Sequence, residues 1–138
     1  MSHTKRAIEL NMVLIVDSRN IVGYAIQQHV VKACHARVIS QAKNEEEALG
    51  TIDIHGKNIS LMIISVDSKV NGVWLAGWAD KQYSGMVIVF TGPSSISNPP
   101  KVDGSVFLSH KELKAGALHE TIVKLRDAKK TREPKARL

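Results

Sequence analysis

The sequence predicts an α/β fold in which a parallel sheet lies between two layers of helices. Three apolar runs predict buried parallel strands, because they are too short for helices and rich in β-branched residues. Stretches with a helical apolar period alternate with these runs. Strands that alternate with helices form parallel sheets with right-handed crossovers and helices on both faces. The three runs are Met12–Asp17, Leu61–Asp67 and Met86–Thr91.

Each of these runs ends on polar side chains. The first ends at Asp17, and the last ends at Thr91. The middle run ends with Ser65 and Asp67, which share one face of the strand because side chains alternate along it. In open parallel sheets, sites form outside the carboxyl ends of strands. We therefore expect these polar groups to meet at one edge of the sheet.

Size and composition indicate a single soluble domain. The chain has 138 residues, enough to bury a proper core. No apolar run approaches the ~20 residues of a membrane span, and the polar amino terminus lacks the apolar segment of a signal peptide. The one cysteine, Cys34, cannot form an internal disulfide and is expected to be a small buried hydrophobe. We expect a cytoplasmic location and no membrane partner.

The first half of the chain predicts two strands and two helices. Residues 1–11 are expected to form a flexible lead-in before the first strand. Ser18 is predicted to cap a first helix whose apolar stripe extends to Ala33, with His29 as a packed core residue. A second strand at 36–41 precedes a helix with a capping box of Asn44 and Glu47. The glutamates that open this helix suit its dipole and are not interpreted as a metal site.

The second half predicts two buried strands, a fifth strand and two further helices. A short helix at 73–78 carries two tryptophans four residues apart. Prolines in 92–105 predict a loop or a single turn, because proline lacks the amide donor and clashes with a preceding helical turn. The fifth strand is predicted at 106–109, and the last helix from Lys111 to about Lys130.

The carboxyl-terminal end carries most of the net charge. Residues 124–138 contain seven basic and two acidic side chains, which accounts for five of the six formal positive charges of the chain. Such a segment can attract nucleic acid, although a solvated helix end followed by a linker is the more ordinary interpretation. We predict a folded domain at 12–127 and a basic tail or linker at 128–138.

The ordered series of segments resembles the receiver domain of response regulators over roughly residues 12–127. Val13-Leu-Ile-Val-Asp17 is similar to the first strand of receivers. The stretch from Ala36 to Leu49 is similar to the second strand and helix of receivers attached to helix-turn-helix output domains. The fourth strand ending at Thr91 and the segment Phe107-Leu-Ser-His110 extend the match. No single motif is specific, but their order is.

The resemblance implies a definite topology and a signalling role. It implies a three-layer α/β/α sandwich with a five-stranded parallel sheet in the order 2-1-3-4-5, as in CheY-like and flavodoxin-like folds. The proline-rich stretch at 92–105 predicts that the fourth helix of that fold is shortened or replaced by loop. The implied partners are a histidine kinase or another signalling protein, and a second copy of the chain in a homodimer. Nucleic acid is expected only through an output domain absent from this chain, or weakly through the basic tail.

A working receiver uses a small set of groups for phosphoryl transfer. An acidic pair holds Mg²⁺, an aspartate accepts the phosphoryl group, and a hydroxyl and a lysine contact it. Carboxylates are the hard oxygen ligands that Mg²⁺ prefers. The metal and the lysine neutralise the phosphoryl oxygens during transfer.

Carried over residue by residue, the acidic part of this set is altered. Asp17 matches the first acid and is the one expected Mg²⁺ ligand, whereas Ser18 stands at the second acidic position and offers no charge. Strand register places Ser65 at the phosphoacceptor position, and its separation from Gly72 favours it over Asp67. A one-residue slip of the strand end would let Asp67 substitute.

The remaining positions are partly kept. Thr91 matches the hydroxyl, and Phe107 matches the aromatic switch position. His110 stands at the lysine position, followed by Lys111 where proline is usual. The cation of the site is therefore expected to be altered as well.

We expect a pseudo-receiver, a signalling and protein-interaction module without ordinary aspartyl phosphorylation. It is not expected to be an enzyme or to hold a cofactor, with Mg²⁺ binding only if the pocket functions. The alternative is a phosphorylatable receiver that uses Asp17 and Asp67 and regulates a DNA-binding output domain absent from this chain. A small α/β enzyme or nucleotide-binding domain has little support, because no G-x-G-x-x-G, G-x-x-x-x-G-K-[ST] or G-x-S-x-G motif is present and the six histidines lack ligand spacing.

Overall fold

A five-stranded parallel sheet forms the centre of the molecule. The computed structural model describes residues 8–132, with the side chains of 131 and 132 left out. All neighbouring strands are parallel, and their order across the sheet is β2-β1-β3-β4-β5. The predicted α/β fold and strand order are therefore confirmed. The strands are β1 Ile8–Val16, β2 Cys34–Ala42, β3 Ile59–Ser65, β4 Val87–Gly92 and β5 Ser105–Ser109.

Five α-helices and one 3-10 turn connect or follow the strands within residues 8–132. No helix lies between β4 and β5, where residues 93–104 form a loop. This confirms the prediction drawn from its prolines. None of the helices in the described range is long and apolar enough to cross a membrane. The helices are α1 Asn20–Ala33, α2 Glu45–His55, α3 Gly72–Gln82, α4 His110–Lys114 and α5 Leu118–Arg132, and the 3-10 turn is Gly56–Asn58.

The two faces of the sheet bury separate apolar clusters. Val13 and Ile15 of β1 point into the cluster that includes residues of α1, α4 and α5. Leu14 and Val16 point to the opposite face, into the cluster that includes residues of α2 and α3. All four side chains are at most 1% exposed, and each buried side chain of this size stabilises the fold by about 1.5–3 kcal/mol. Alternation along the strands thus produces the three-layer sandwich.

The first strand begins earlier than predicted. The lead-in was predicted for residues 1–11, whereas Ile8–Asn11 already belong to β1, and Ile8 pairs with Cys34 of β2. Ile8 and Leu10 are buried while Glu9 is exposed, which is the period-two pattern of a half-buried strand. The predicted lead-in at residues 1–7 lies outside the described residues.

The start of α1 also differs from the prediction. Arg19, and not Ser18, is the N-cap residue of α1, and its side chain makes no capping hydrogen bond. The side chain of Asp17 stabilises the turn before the helix instead, because Asp17 Oδ1 accepts a hydrogen bond from the Arg19 backbone N–H at 2.8 Å. His29, predicted to be a packed core residue, is only half-buried.

The second helix starts as predicted, at Asn44. The Asn44 side chain accepts a hydrogen bond from the Glu47 backbone N–H at 2.8 Å. In the predicted capping box, Glu47 would accept a hydrogen bond from the backbone N–H of Asn44. Glu47 Oε1 instead accepts from the backbone N–H of Lys43, one residue earlier. The cap therefore stabilises the chain at the end of β2 as well as the helix.

The predicted last helix, from Lys111 to about Lys130, is two helices. Ser109 and Glu112 form a capping box that starts α4, one residue before the predicted start. The chain turns at 115–117, where Gly116 has φ +88°, a conformation that favours glycine because other residues clash there. The second helix, α5, then continues to Arg132.

Part of the predicted basic tail belongs to the folded domain. Residues 128–132 lie in α5, although 128–138 were predicted as tail or linker. Lys129 is only 6% exposed, and its ammonium donates to Asp80 Oδ1 and to the backbone carbonyl of Met86. Residues 133–138 of the predicted tail lie outside the described residues.

Candidate functional site

Three buried polar residues lie at the carboxyl edge of neighbouring strands. Asp17 follows β1, Ser65 ends β3, and Thr91 is near the end of β4. All three are 0% exposed. Ser65 and Thr91 are direct neighbours in the parallel register, and the Val66 N–H donates to the Thr91 carbonyl at 2.8 Å. The strand ends thus bring together the positions that the sequence singled out.

Arg19 is the residue of this site that the sequence analysis missed. Its guanidinium donates to Asp17 through Nε at 2.9 Å and Nη2 at 2.9 Å. It also donates to Asp67, through Nη1 at 3.1 Å and Nη2 at 2.8 Å. Each carboxylate therefore receives two hydrogen bonds from one planar cation, the geometry that arginine is suited to provide. The one available sequence signal was a basic residue two positions after the strand-ending acid.

The turn that carries Arg19 is held from β2. The side-chain amide of Gln41 donates to the carbonyls of Asp17 and Arg19, at 2.9 and 3.1 Å. This amide lies directly against Gly23 of α1, where any larger side chain would collide with it. The bonds fix the backbone between β1 and α1 and so direct the guanidinium toward the two acids.

The ion pairs dominate the electrostatics of the site. Burial opposes ionisation of Asp17, but hydrogen bonds from the side chain and backbone of Arg19 outweigh it and lower the pKa of this carboxyl. The hydrogen bond from Arg19 lowers the pKa of Asp67 in the same way, against a smaller opposing effect of burial. The bonds from Asp17 and Asp67 raise the pKa of Arg19. All three groups are therefore charged at neutral pH.

Two buried hydroxyls stand beside these charges. Ser65 Oγ and Thr91 Oγ1 form no protein hydrogen bond of normal geometry within the described range. The Ser65 hydroxyl is nevertheless near enough to the Asp17 carboxylate to help lower the pKa of that carboxyl. Buried hydroxyls without a protein partner are uncommon and mark positions where a polar site is built into the fold.

The predicted cation and switch positions lie around the end of β5. His110 begins α4, and its Nε2 is buried without a hydrogen-bond partner in the structure as described. Lys111 is exposed on α4. Phe107 of β5 is partly buried and packs against the cluster on the α2 and α3 face. Ser18 lies half-buried in the loop before α1. Within residues 8–132, neither Asp17 nor Asp67 forms a hydrogen bond or ion pair with any of these four side chains, but His110 is near enough to Asp67 to help lower the pKa of that carboxyl.

The arrangement does not fit a Mg²⁺ site. Both oxygens of Asp17 and both oxygens of Asp67 accept hydrogen bonds from Arg19. A Mg²⁺ ion needs near-octahedral oxygen ligands and would have to displace the guanidinium to obtain them. Residues 8–132 contain no group of three or more His, Cys, Asp or Glu side chains that could hold a metal ion.

Solved structures of receiver domains share this fold. No protein-family model and no curated protein matches the sequence. A signal receiver domain of an HD domain-containing protein from Pseudomonas fluorescens Pf-5 is 14% identical, with a TM-score of 0.65 over 99% of this chain and 100% of that chain. A response regulator receiver domain protein from Clostridium thermocellum is 16% identical, with a TM-score of 0.68 over 88% of this chain and 98% of that chain.

A third similar structure is part of a protein complex. It is a chain of the complex between the P1 domain of CheA3 and CheY6 from R. sphaeroides, which is 20% identical, with a TM-score of 0.64 over 85% of this chain and 97% of that chain. At these identities the likeness establishes the receiver fold of this chain. What its site does has to be argued from its own residues.

Proposed function

We propose that this chain, which has the receiver fold, is an atypical receiver that acts as a signalling and protein-interaction module without ordinary aspartyl phosphorylation. The observation that carries the proposal is the guanidinium of Arg19, which joins Asp17 to Asp67 through four side-chain hydrogen bonds. In this role the chain is not an enzyme and needs no cofactor. The reducing cytoplasm suits its one free thiol, Cys34.

The acceptor chemistry supports the proposal. Ser65 stands at the end of β3, where its hydroxyl offers no carboxylate to form an acyl phosphate. A serine hydroxyl becomes a useful nucleophile only beside a general base. The Asp17 carboxylate lies close enough to Ser65 to interact with its hydroxyl, but the lowered pKa of Asp17 makes it a weak base. Ordinary phosphoryl transfer therefore has no suitable nucleophile at this position.

The charge of the site supports the same conclusion. Phosphoryl transfer relies on a divalent metal that bridges the phosphoryl oxygens and neutralises them. Here the monovalent guanidinium of Arg19 already forms ion pairs with both carboxylates. Arg19 thus performs internally the charge neutralisation that a receiver otherwise obtains from a bound ion, so the site is held in one state.

The partner of such a module is a protein, either a histidine kinase or another signalling protein, and a homodimer is a further expected assembly. The surface formed by residues 92–113 is the proposed contact region, because a proline-restrained loop there replaces the helix between β4 and β5. Nucleic acid is reached only through an output domain outside this chain, or weakly and in a salt-sensitive manner through the basic carboxyl-terminal end.

A titration with Mg²⁺, with and without beryllofluoride, tests the proposal. Amide NMR of the native chain is expected to show no saturable shifts at Asp17, Asp67 or Thr91. The Arg19→Ala substitution removes the guanidinium from both carboxylates. The same titration of this variant is expected to show Mg²⁺-dependent shifts at Asp17. The fluorescence of the stacked pair Trp74 and Trp78, whose ring centroids are 6.2 Å apart, reports whether each protein stays folded. Saturable, beryllofluoride-dependent shifts in the native chain would overturn the proposal.

The second candidate is a phosphorylatable receiver that uses Asp67 as the acceptor and acts on a DNA-binding output domain. The observation in its favour is that Asp67 lies in the loop after β3 with its side chain 30% exposed and its carboxyl ionised. Incubation with acetyl phosphate and Mg²⁺, followed by measurement of the intact mass, tests whether Asp67 is phosphorylated. This candidate requires a phosphate adduct that Asp67→Asn abolishes, and an unmodified native chain removes it.

A further inference from the structure

A groove separate from the acidic site lies between α1, the beginning of β2 and the turn that joins α4 to α5. Its volume is about 660 Å³, within the roughly 300–1,000 Å³ of typical small-molecule sites. We propose that this groove binds a small organic anion with an apolar body. It shares no lining residue with the Asp17, Arg19 and Asp67 site, so the inference is independent of the proposed receiver role.

The shape of the groove follows from the break between α4 and α5. A single helix from residue 111 onward would have no turn at residues 115–117. Instead, α4 ends at Lys114, and Gly116 turns the chain with φ +88° before α5 begins. Leu113, Lys114 and Gly116 form one side of the groove, and the end of α1 with the start of β2 forms the other. The feature is therefore built by a specific backbone turn.

The floor of the groove is apolar. Val31 of α1 and Ile39 of β2 contribute aliphatic surface over the buried Leu113 of α4, together with small residues at the α1–β2 junction. Val31 is 55% exposed, although it is a large apolar side chain. Ligand sites are lined mainly by apolar groups with a few polar groups that fix orientation. An apolar ligand body would cover this surface and remove it from water.

All ionisable side chains along the groove except the thiol of Cys34 are basic. They are His29, Lys32, His35, Lys114 and His119, and no aspartate or glutamate lines the groove. Burial lowers the pKa of His29, and the neighbouring charges of Lys32, His110 and Lys114 lower it further. Lys32 of α1 and Lys114 of α4 therefore both lie near enough to His29 to disfavour its charged form, which places two lysine charges from separate helices at one groove. A bound carboxylate, phosphate or sulfonate would neutralise this repulsion.

The same residues argue against a metal ion as the occupant. Although three histidines line the groove, residues 8–132 include no cluster of His, Cys, Asp or Glu arranged to hold a metal. Metal ligands must also approach within about 2–2.3 Å of one ion, which two lysine ammonium groups in the same groove oppose. A small anion with an apolar body complements both the basic side chains and the apolar surface of the groove.

Binding of anilinonaphthalene sulfonate, an apolar dye with one fixed negative charge, tests the proposal on the full chain. Fluorescence is expected to show saturable binding, with amide NMR shifts at His29, Lys32 and Lys114. The uncharged dye phenylnaphthylamine, which has the same apolar body, is expected to bind at least tenfold more weakly. The double variant Lys32→Gln, Lys114→Gln is expected to weaken sulfonate binding at least tenfold.

A matched control separates the groove from the net charge of the chain. The double variant Lys57→Gln, Lys81→Gln removes two exposed lysines that do not line the groove, and it is expected to bind the dye as the native chain does. Equal weakening in both double variants would overturn the proposal, as would NMR shifts centred on Trp74. Equal binding of the two dyes would also contradict it. If an acidic peptide shifted the groove residues and the dye did not, the site would be a protein-docking surface instead.

Discussion

At the scale of single residues, Arg19 determines the character of the candidate site. Its side chain is 36% exposed, but its partner Asp17 is fully buried, so the pair stands at the boundary between surface and interior. A buried carboxylate without a counter-charge is strongly disfavoured, and the guanidinium removes that penalty. Asp17 is therefore kept as an ion mainly by Arg19, two positions along the chain, with a contribution from the Ser65 hydroxyl.

Replacing Arg19 by glutamine is expected to lower the free energy of unfolding at neutral pH by about 2 kcal/mol. Loss of one partner of a fully buried pair costs roughly 3–5 kcal/mol, and solvent screening of this partly exposed guanidinium reduces the value. Urea denaturation followed by tryptophan fluorescence measures the change. Arg37→Gln, at an exposed position on β2, is the control and should change stability by less than about 0.5 kcal/mol.

The Arg19→Gln substitution is also expected to reverse part of the pH dependence of the free energy of unfolding. In the native chain the pKa values of Asp17 and Asp67 lie below 3.8, so their stabilisation is complete above pH 3.8 and is lost as the pH falls through the lowered pKa values. Without Arg19, burial alone raises the pKa of Asp17, and the variant loses stability as the pH rises through that value. The stability difference should be largest at neutral pH and smallest in acid, and a pH-independent difference would contradict the ion-pair role of Arg19.

At the scale of secondary structure, the strands were predictable and the last helix was not. The apolar runs that specify β1, β3 and β4 are local, and the prolines that exclude a helix at 93–104 are local too. The break at 115–117 depends on Gly116, and a glycine within a helical pattern is often tolerated. Only packing of α4 and α5 against the sheet and α1 decides whether such a glycine turns the chain.

Gly116→Ala is expected to destabilise the protein by about 1 kcal/mol, because alanine is disfavoured at positive φ. Gly50→Ala and Gly77→Ala are matched controls within α2 and α3. An added Cβ meets no atom within 4 Å at any of the three positions. The two helical substitutions should therefore stabilise the protein by up to about 1 kcal/mol. Thermal denaturation shows whether each substitution raises or lowers the stability. A stabilising effect of Gly116→Ala would contradict the left-handed conformation at Gly116.

At the scale of the whole molecule, one buried ion pair joins helices from opposite faces of the sheet. Lys129 of α5 donates to Asp80 of α3 at 2.7 Å, and also to the carbonyl of Met86, the residue just before β4. The side chains of Lys129 and Asp80 are only 6% and 12% exposed. The pair therefore connects the two outer layers around the amino-terminal end of β4.

Replacing Lys129 by methionine is expected to lower the free energy of unfolding by about 3 kcal/mol, because it removes the buried ammonium that contacts the Asp80 carboxylate and the Met86 carbonyl. The double variant Lys129→Met, Asp80→Leu should recover most of this loss, since replacing both members of a buried pair by apolar groups is often neutral. Lys130→Met, at the exposed neighbouring position, is the control. Chemical denaturation measures the free energy of unfolding of all three variants. An equal decrease for Lys129→Met and Lys130→Met would show that the ion pair has no stabilising role.

Local sequence patterns are enough to specify the strands, their alternation with helices, the loop between β4 and β5, and the polar residues at the strand ends. These features follow from local patterns of apolar residues and prolines, which specify buried strands and loops directly. The tertiary structure alone decided that Arg19 bridges Asp17 and Asp67, that α4 and α5 are separate, and that Lys129 is buried. Two of these outcomes depend on partners far away along the chain, Asp67 at 48 residues from Arg19 and Asp80 at 49 residues from Lys129, which no local pattern encodes. The third depends on how α4 and α5 pack against α1 and the sheet.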